Sequence, residues 1–399
     1  MAEIILSLFY TDQQAENKIR QVLLQFEKEF HCSVALRWLN WDTGHTELNR
    51  IAFEGRGADV SEIGTTWLGS YINMQVLRPF SWHEIEEIGG IDAFAPVAWV
   101  PGQDKNLKGY YAIPWSISLF LIYYRHQWLN ETGLDESNAF SSIDSLESTI
   151  ALLAQTGYPM PITLPDAHSY GILHAITPFV WNEGGYLRSD DGLQVLFDSP
   201  EAIRGMARYY DLMRFINPEA RLKLRQDSAS LFGLGHAATG ILPSSYLYLP
   251  LLSQPEMAGQ WRVAPMPPRS VVGGHSLVVW QHTSNQHLSY ELVRFLTSHP
   301  VQLEQPGINY HFPARLSALQ SSSFSQSEYL PAVLKALKTG HAYPSMRLWG
   351  VIEDNLVQAL SAVWYQFLID TNQDVEILLR EKLVPLARRL RITLSDGYA

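Results

Sequence analysis

The chain has 399 residues, and its 29 Lys and Arg against 40 Asp and Glu leave a net charge of −11. With 46% hydrophobic and 17% charged residues it has a globular balance, which excludes a disordered chain, and its acidity argues against nucleic acid or an anionic membrane as main partner. The length makes two domains the default, no run approaches about 18 consecutive apolar residues, and no basic start with an apolar core marks a signal peptide.

Residues 3–9 (EIILSLF) read as a short buried strand, followed by Thr11-Asp12-Gln13-Gln14, which matches a capping box with Thr at the cap. Ile19, Val22, Leu23, Phe26 and Phe30 then mark one face of a helix. A second strand is expected at 33–39, then polar Asn40-Trp41-Asp42-Thr43-Gly44 and a helix to about Phe53. A third strand, Asp59–Ile63, leads through Gly64-Thr65-Thr66 into another helix. This alternation with short connections is a parallel, doubly wound α/β start. Residues 101–118 break the pattern and end in the apolar run 118–124. Helical patterns dominate about 143–235, and a second apolar run, Leu277–Trp280, follows the punctuated stretch 264–275. In the tail, Ile352, Leu356, Leu360, Val363 and Phe367 share one helical face, and Val375, Leu378, Leu379, Leu383, Leu386 and Leu390 another. The two Pro/Gly-rich stretches near 110–116 and 264–275 are the candidate crossings between lobes, and a chain that crosses and returns has discontinuous domains.

Catalytic motifs are mostly absent. There is no Walker A loop, HExxH or CxxC, and the single cysteine, Cys32, excludes an internal disulfide and multi-cysteine metal sites. Gly233-Leu234-Gly235 with Gly240 has the wrong spacing for a dinucleotide loop. Gly274-His275-Ser276 resembles half of a nucleophile elbow, but the apolar strand is expected after Ser276 and not before it. Asp59, Glu62, Glu183 and Glu353 are the carboxylates that could serve glycoside hydrolysis, where only spatial separation decides. Their plainer readings are backbone capping for Asp59 and loop or helix-face positions for Glu183 and Glu353. The 13 histidines do not cluster at ligand spacing, and His31 is expected to end a helix beside Cys32. No metal or cofactor is expected.

The positive signal is polar and aromatic residues at expected strand ends and turns: Tyr10-Thr11-Asp12, Asn40-Trp41-Asp42, Thr65-Thr66-Trp67, Trp115, Trp181-Asn182, Tyr246 and Trp349. Ligands of open parallel sheets sit outside the carboxyl ends of the strands. Each group alone is more often a helix cap or rim packing than a ligand contact. Together they describe flat apolar faces beside hydroxyl-matching groups, which suits a pyranose.

The chain resembles the family 1 extracellular solute-binding proteins, the sugar-capturing components of ABC importers. The resemblance lies in the opening strand and helix to Phe30, Ala58-Asp59-Val60 with Gly64-Thr65-Thr66-Trp67, Tyr111-Ala112-Ile113-Pro114-Trp115, and Trp181-Asn182-Glu183-Gly184-Gly185. It continues through Gly235–Gly240, Gly273–Val279, Glu291–Ser298, Pro313-Ala314-Arg315 and Tyr343-Pro344-Ser345 before Trp349. It covers nearly the whole chain, in order. It implies a two-lobe periplasmic-binding-protein fold (type II), with an N-terminal lobe of 1–112 plus 275–318 and a C-terminal lobe of 113–274 plus 319–399. It also implies a monomer without enzymatic activity that closes on a carbohydrate between its lobes and is read by the permease. Carried over residue by residue, Asp12, Asp42, Thr66, Trp67, Trp115, Trp181, Gly274, His275 and Trp349 line the cleft; Trp41 and Tyr246 complete the set. Trp67, Trp115 and Trp349 would stack on the sugar, and Asp12, Asp42 and Thr66 would bond its hydroxyls. The implied place is periplasmic or extracellular, with a lipid anchor that this sequence does not contain. A glycoside hydrolase or lyase on a similar glycan, and a ligand-sensing receptor domain, are the alternatives. The sugar itself is not specified.

Overall fold

The computed structural model describes residues 2–104, 109–165, 171–189, 192, 194–248, 259–321, 327–343, 346 and 348–396. Pro344 and Ser345 of the Tyr343-Pro344-Ser345 motif, and 105–108 of the Gly/Pro-rich stretch, lie outside the described residues. In chain order the principal elements are β1 (Glu3–Phe9), α1 (Gln13–Phe30), β2 (Ser33–Leu39), α2 (Gly44–Glu54), β3 (Val60–Gly64) and α3 (Leu68–Asn73). Then come β4 (Ile113–Arg125), α4 (Ile143–Gln155), β5 (Ile162–Thr163), α5 (Gly171–Asn182), α6 (Pro200–Asp211) and α7 (Ser228–Gly233). The rest are β6 (Thr239–Pro243), β7 (Trp261–Pro265), β8 (Val272–Val279), α8 (Gln286–Leu296), β9 (Phe312–Pro313), α9 (Leu330–Thr339), α10 (Trp349–Ile369) and α11 (Val375–Asp396).

The chain divides into two compact units: Met1–Ser118 with Val272–Ser327 and Ala342–Trp349, and Leu119–Val271 with Glu328–His341 and Gly350–Ala399. In the first unit the strand order is β2-β1-β3-β8. β1 runs parallel to both β2 and β3, as the strand–helix alternation predicts, and β8 is antiparallel to β3. β9 pairs with the early part of β4 at Ser116 and Ile117. The apolar stripe of α1 is buried at Ile19, Val22, Leu23 and Phe26, so the helix is held by packing one face. His31 ends it in the left-handed conformation, φ 52°.

Two expectations are corrected here. The cap of α1 is Asp12, not Thr11: its carboxylate accepts from the Ala15 N–H at 2.8 Å, and an extended φ of −160° sets that geometry. β8 begins at Val272, so Ser276 lies inside a strand opposite Ile63 and is buried, not at a turn ahead of one. An elbow is excluded either way, because no helix follows the serine directly.

In the second unit β6 and β7 flank β4 antiparallel on its two edges, and β5 adds parallel to β6. Around them, α5 and α6 lie in close contact because Gly205 has no side chain: a Cβ there would sit 2.4 Å from the Val180 Cα. The Tyr210 hydroxyl donates to the Leu360 carbonyl at 2.7 Å and ties α6 to α10. The two stripes expected in the tail are buried along α10 and α11. Glu183 is paired with Arg208 at 2.7 Å, and Glu353 is buried on α10. The pairing with Arg208 makes Glu183 a structural residue of this unit.

Candidate functional site

The carboxyl ends of β1, β2 and β3 bring together residues far apart in sequence. Phe9 is the last residue of β1, Trp41 lies just beyond β2 and Trp67 just beyond β3. The rings of Phe9 and Trp41 stack at 3.8 Å with planes 15° apart. Trp67 stands 5.9 Å from Phe9 and 5.8 Å from Trp41, and His45 of α2 stacks on it at 4.9 Å. Exposure separates the two indoles: Trp67 is 3% exposed, whereas Trp41 is 40% exposed. Trp41 therefore presents apolar surface to solvent while Phe9 fixes its other side.

Beneath this cluster lies a buried acid–imidazole pair. Glu62 of β3 and His275 of β8 stand diagonally across the antiparallel ladder and share one face. The Glu62 carboxylate accepts from the Phe9 N–H at 2.7 Å with one oxygen, and its other oxygen lies 2.5 Å from His275 Nδ1. The imidazole is 5.1 Å from the Trp41 ring and meets His311 edge-on at 4.7 Å. Burial, with His275 as neighbour, pushes the His311 pKa well below its ordinary value, so that ring is neutral. His275 Nε2 has no partner among the described residues.

The polar rim comes from the turns. Asn40 accepts from the Asp42 N–H at 2.8 Å and shapes that turn, while the Asp42 carboxylate and the Thr66 hydroxyl have no partners among the described residues. Asp12 is engaged on both sides, by Ala15 N–H and by the Tyr310 hydroxyl at 2.5 Å. Burial raises the Asp12 pKa, but the bonds from Ala15, Tyr310 and Gln14 outweigh it and hold the carboxyl below its usual value; Tyr310 is pushed up to about 12 by burial and by Asp12. A depressed folded pKa contributes stability that is complete above the unfolded value of about 4 and is lost as pH falls through the folded value. Asp12→Asn, an equally good cap without the charge, should thus be less stable than the parent at pH 7, by about 1 kcal/mol or less, and the gap should shrink below pH of about 4. Urea unfolding at pH 7 and pH 3 measures both.

The remaining expected site residues are placed as follows. Trp115, on β4, is 1% exposed and makes no ring contact among the described residues; its carbonyl accepts from Gln302 at 2.9 Å. Gly274 has φ 129°, and its carbonyl accepts from Thr65 N–H at 3.0 Å, tying β8 to the turn after β3. Trp349 is 1% exposed, 5.7 Å from the Tyr343 ring. In the second unit, Trp181 lies under the Arg269 guanidinium at 5.4 Å and edge-on to His341, and the Tyr246 hydroxyl donates to Asp227 at 3.2 Å. The structure thus joins Trp41, Trp67 and His275 in direct ring contact. It adds Phe9, His45, Glu62, Tyr310 and His311, none of which the strand-end pattern selected as a ligand contact. Phe9 precedes the selected Tyr10, a signal that was available; Glu62 stood out only as a candidate carboxylate for glycoside hydrolysis, and His45, Tyr310 and His311 have no local signature. Asp59 is spent on structure, accepting from Ile5 N–H at 2.8 Å and from the Thr283 hydroxyl. No group of His, Cys, Asp and Glu able to hold a metal occurs among the described residues.

Solved structures share this fold over essentially the whole chain. A solute-binding protein of an ABC transporter from Thermotoga lettingae, bound with α-D-tagatose, is similar with TM-score 0.79 and 20% identity, covering 99% of this chain and 100% of that one. The sugar-binding protein MalE of Xanthomonas citri is similar with TM-score 0.82 and 19% identity over 100% and 98% of the two chains. UgpB of Mycobacterium tuberculosis, in complex with glycerophosphocholine, has TM-score 0.76 and 14% identity over 100% and 99%. No curated protein matches the chain. These likenesses establish the periplasmic-binding-protein fold, in agreement with the fold expected from the sequence. The model of the bacterial extracellular solute-binding proteins matches residues 21–332, most of the chain. This chain therefore belongs to the bacterial extracellular solute-binding protein family.

Proposed function

We propose that this protein captures a saccharide or polyol at the carboxyl ends of β1, β2 and β3 and delivers it unaltered to an ABC permease. The observation that carries the reading is the exposed Trp41 face, fixed on Phe9 and flanked by the partnerless Asp42 carboxylate and Thr66 hydroxyl. A sugar lays its C–H face on such a ring while carboxylate and hydroxyl bond its OH groups. His275, fixed by Glu62, adds a ring nitrogen beside the same indole. Tagatose and the sugar ligand of the MalE relative are of this hydroxyl-rich class, whereas the UgpB ligand carries a choline cation for which the exposed ring alone would suffice. Asp42 and Thr66 favour the hydroxyl-rich ligand. The protein acts as a monomer on the outer side of the membrane, tethered there by a lipid anchor. Its two units correspond to the lobes that the family uses to hold and release ligand.

Trp41→Ala should weaken saccharide binding by about 1–3 kcal/mol, roughly 5- to 150-fold, with the unfolding midpoint little changed because the ring is half exposed. Isothermal titration with the bound saccharide measures this. Undiminished affinity would remove the site from this end of the sheet.

A further inference from the structure

A second site lies in the first unit, on the face of β1 and β2 covered by α2. There Ile5 and Ser7 of β1, Arg37 and Leu39 of β2, and Glu47, Arg50, Ile51 and Glu54 of α2, with Arg56 and Gly57, enclose a cavity of about 460 Å³. In a chain of net charge −11, three arginines around one cavity stand out. Arg56 is spent on Glu54 at 2.8 Å. Arg37 and Arg50 have no carboxylate partner among the described residues, and both are exposed.

The floor supplies a third donor, and the buried hydrogen-bond network fixes its direction. Ser7 is 1% exposed and Ser61 is fully buried, with their hydroxyl oxygens 2.6 Å apart. The Ser61 oxygen already accepts the Trp280 indole N–H at 2.7 Å. Its own proton has one acceptor among the described residues, the Ser7 oxygen. A buried hydroxyl proton left without an acceptor is costly, so Ser61 donates to Ser7. The Ser7 proton then has no acceptor among the described residues, and Ser7 is one of the residues that line the cavity. The chain Trp280 → Ser61 → Ser7 ends in a polarised O–H donor below two unpartnered guanidinium groups.

We propose that this cavity binds an oxyanion, a phosphate or carboxylate group borne on a small molecule, with Ser7 donating from the floor and Arg37 and Arg50 closing from the rim. Guanidinium forks suit either group. Ile5, Leu39 and Ile51 provide apolar floor for the body that carries it, and Glu47 and Glu54 in the same lining disfavour a polyanion. The site is independent of the saccharide reading and uses none of its residues.

The test is a titration of the isotopically labelled protein with inorganic phosphate and, separately, with acetate, against chloride at matched ionic strength. Saturable shifts of the Ser7, Arg37 and Arg50 backbone amides are expected with at least one oxyanion, and the one saturating at lower concentration names the group. The Arg37→Gln/Arg50→Gln double variant, which alters only exposed side chains and retains the fold, should weaken that binding by about tenfold or more. Ser7→Ala, made in the parent with both arginines present, should also weaken it. No saturable shift with either oxyanion, or equal binding in the double variant, overturns the proposal.

Discussion

Gly274→Ala should destabilise the protein by on the order of 3 kcal/mol or more, while Gly273→Ala, one residue earlier, should change stability by less than about 1 kcal/mol. At Gly274 a Cβ would lie 2.1 Å from the Ser116 carbonyl oxygen, and its φ of 129° is closed to a side chain. The atom in the way is backbone, so no rotamer change relieves it. At Gly273 the nearest atom to an added Cβ is the Thr65 hydroxyl oxygen at 3.5 Å, an ordinary contact, and φ is not positive. The pair separates close backbone approach from any general cost of losing glycine in β8. Urea unfolding of both variants provides the comparison, and equal stabilities would mean that β8 does not approach β4 as described.

Glu62→Ala is expected to cost about 1–3 kcal/mol, the range for leaving a buried hydrogen-bonding group without its partner. The cost arises because the buried Phe9 N–H loses its acceptor and His275 Nδ1 loses the carboxylate 2.5 Å away. Glu62→Gln keeps a carbonyl oxygen for the Phe9 N–H and should cost clearly less. Because Phe9 and His275 both touch Trp41, Glu62→Ala should also loosen the aromatic cluster, visible as lost near-ultraviolet circular dichroism. A loss below about 1 kcal/mol with an unchanged spectrum would show that the pair does not organise the strand ends.

Local pattern made part of this molecule readable. The α1 stripe and the two stripes of the tail were legible because a helix held by one packed face must repeat its apolar residues. The parallel start was legible because short connections between strands and helices leave few topologies. The turns after β2 and β3 stood out through Trp41, Asp42, Thr66 and Trp67. What the pattern could not show is which indole is open: Trp41 and Trp67 occupy similar places in their turns, yet one is half exposed and the other buried. Burial depends on what arrives from elsewhere, here Phe9 on one and His45 on the other. Glu62 with His275, Asp12 with Tyr310, and Ser7 with Ser61 and Trp280 are likewise made by strand pairing and by distant segments, and no spacing rule links them. The cap of α1 was displaced by one residue because Thr11 and Asp12 are both good caps, and backbone entry geometry chose between them.

The central claim is that this protein binds a hydroxyl-rich ligand without altering it. The most direct measurement is calorimetric titration of protein that has been unfolded and refolded to strip any bound molecule. The panel should hold hexoses, maltose, maltotriose and ribitol, with glycerophosphocholine and amino acids as contrasting classes. The account predicts saturable binding of one saccharide or polyol class, recovery of that ligand intact by mass spectrometry, and about 2.7 kcal/mol of added stability at a hundred times its dissociation constant. Binding confined to glycerophosphocholine or to an amino acid, or conversion of the sugar on incubation, would contradict it.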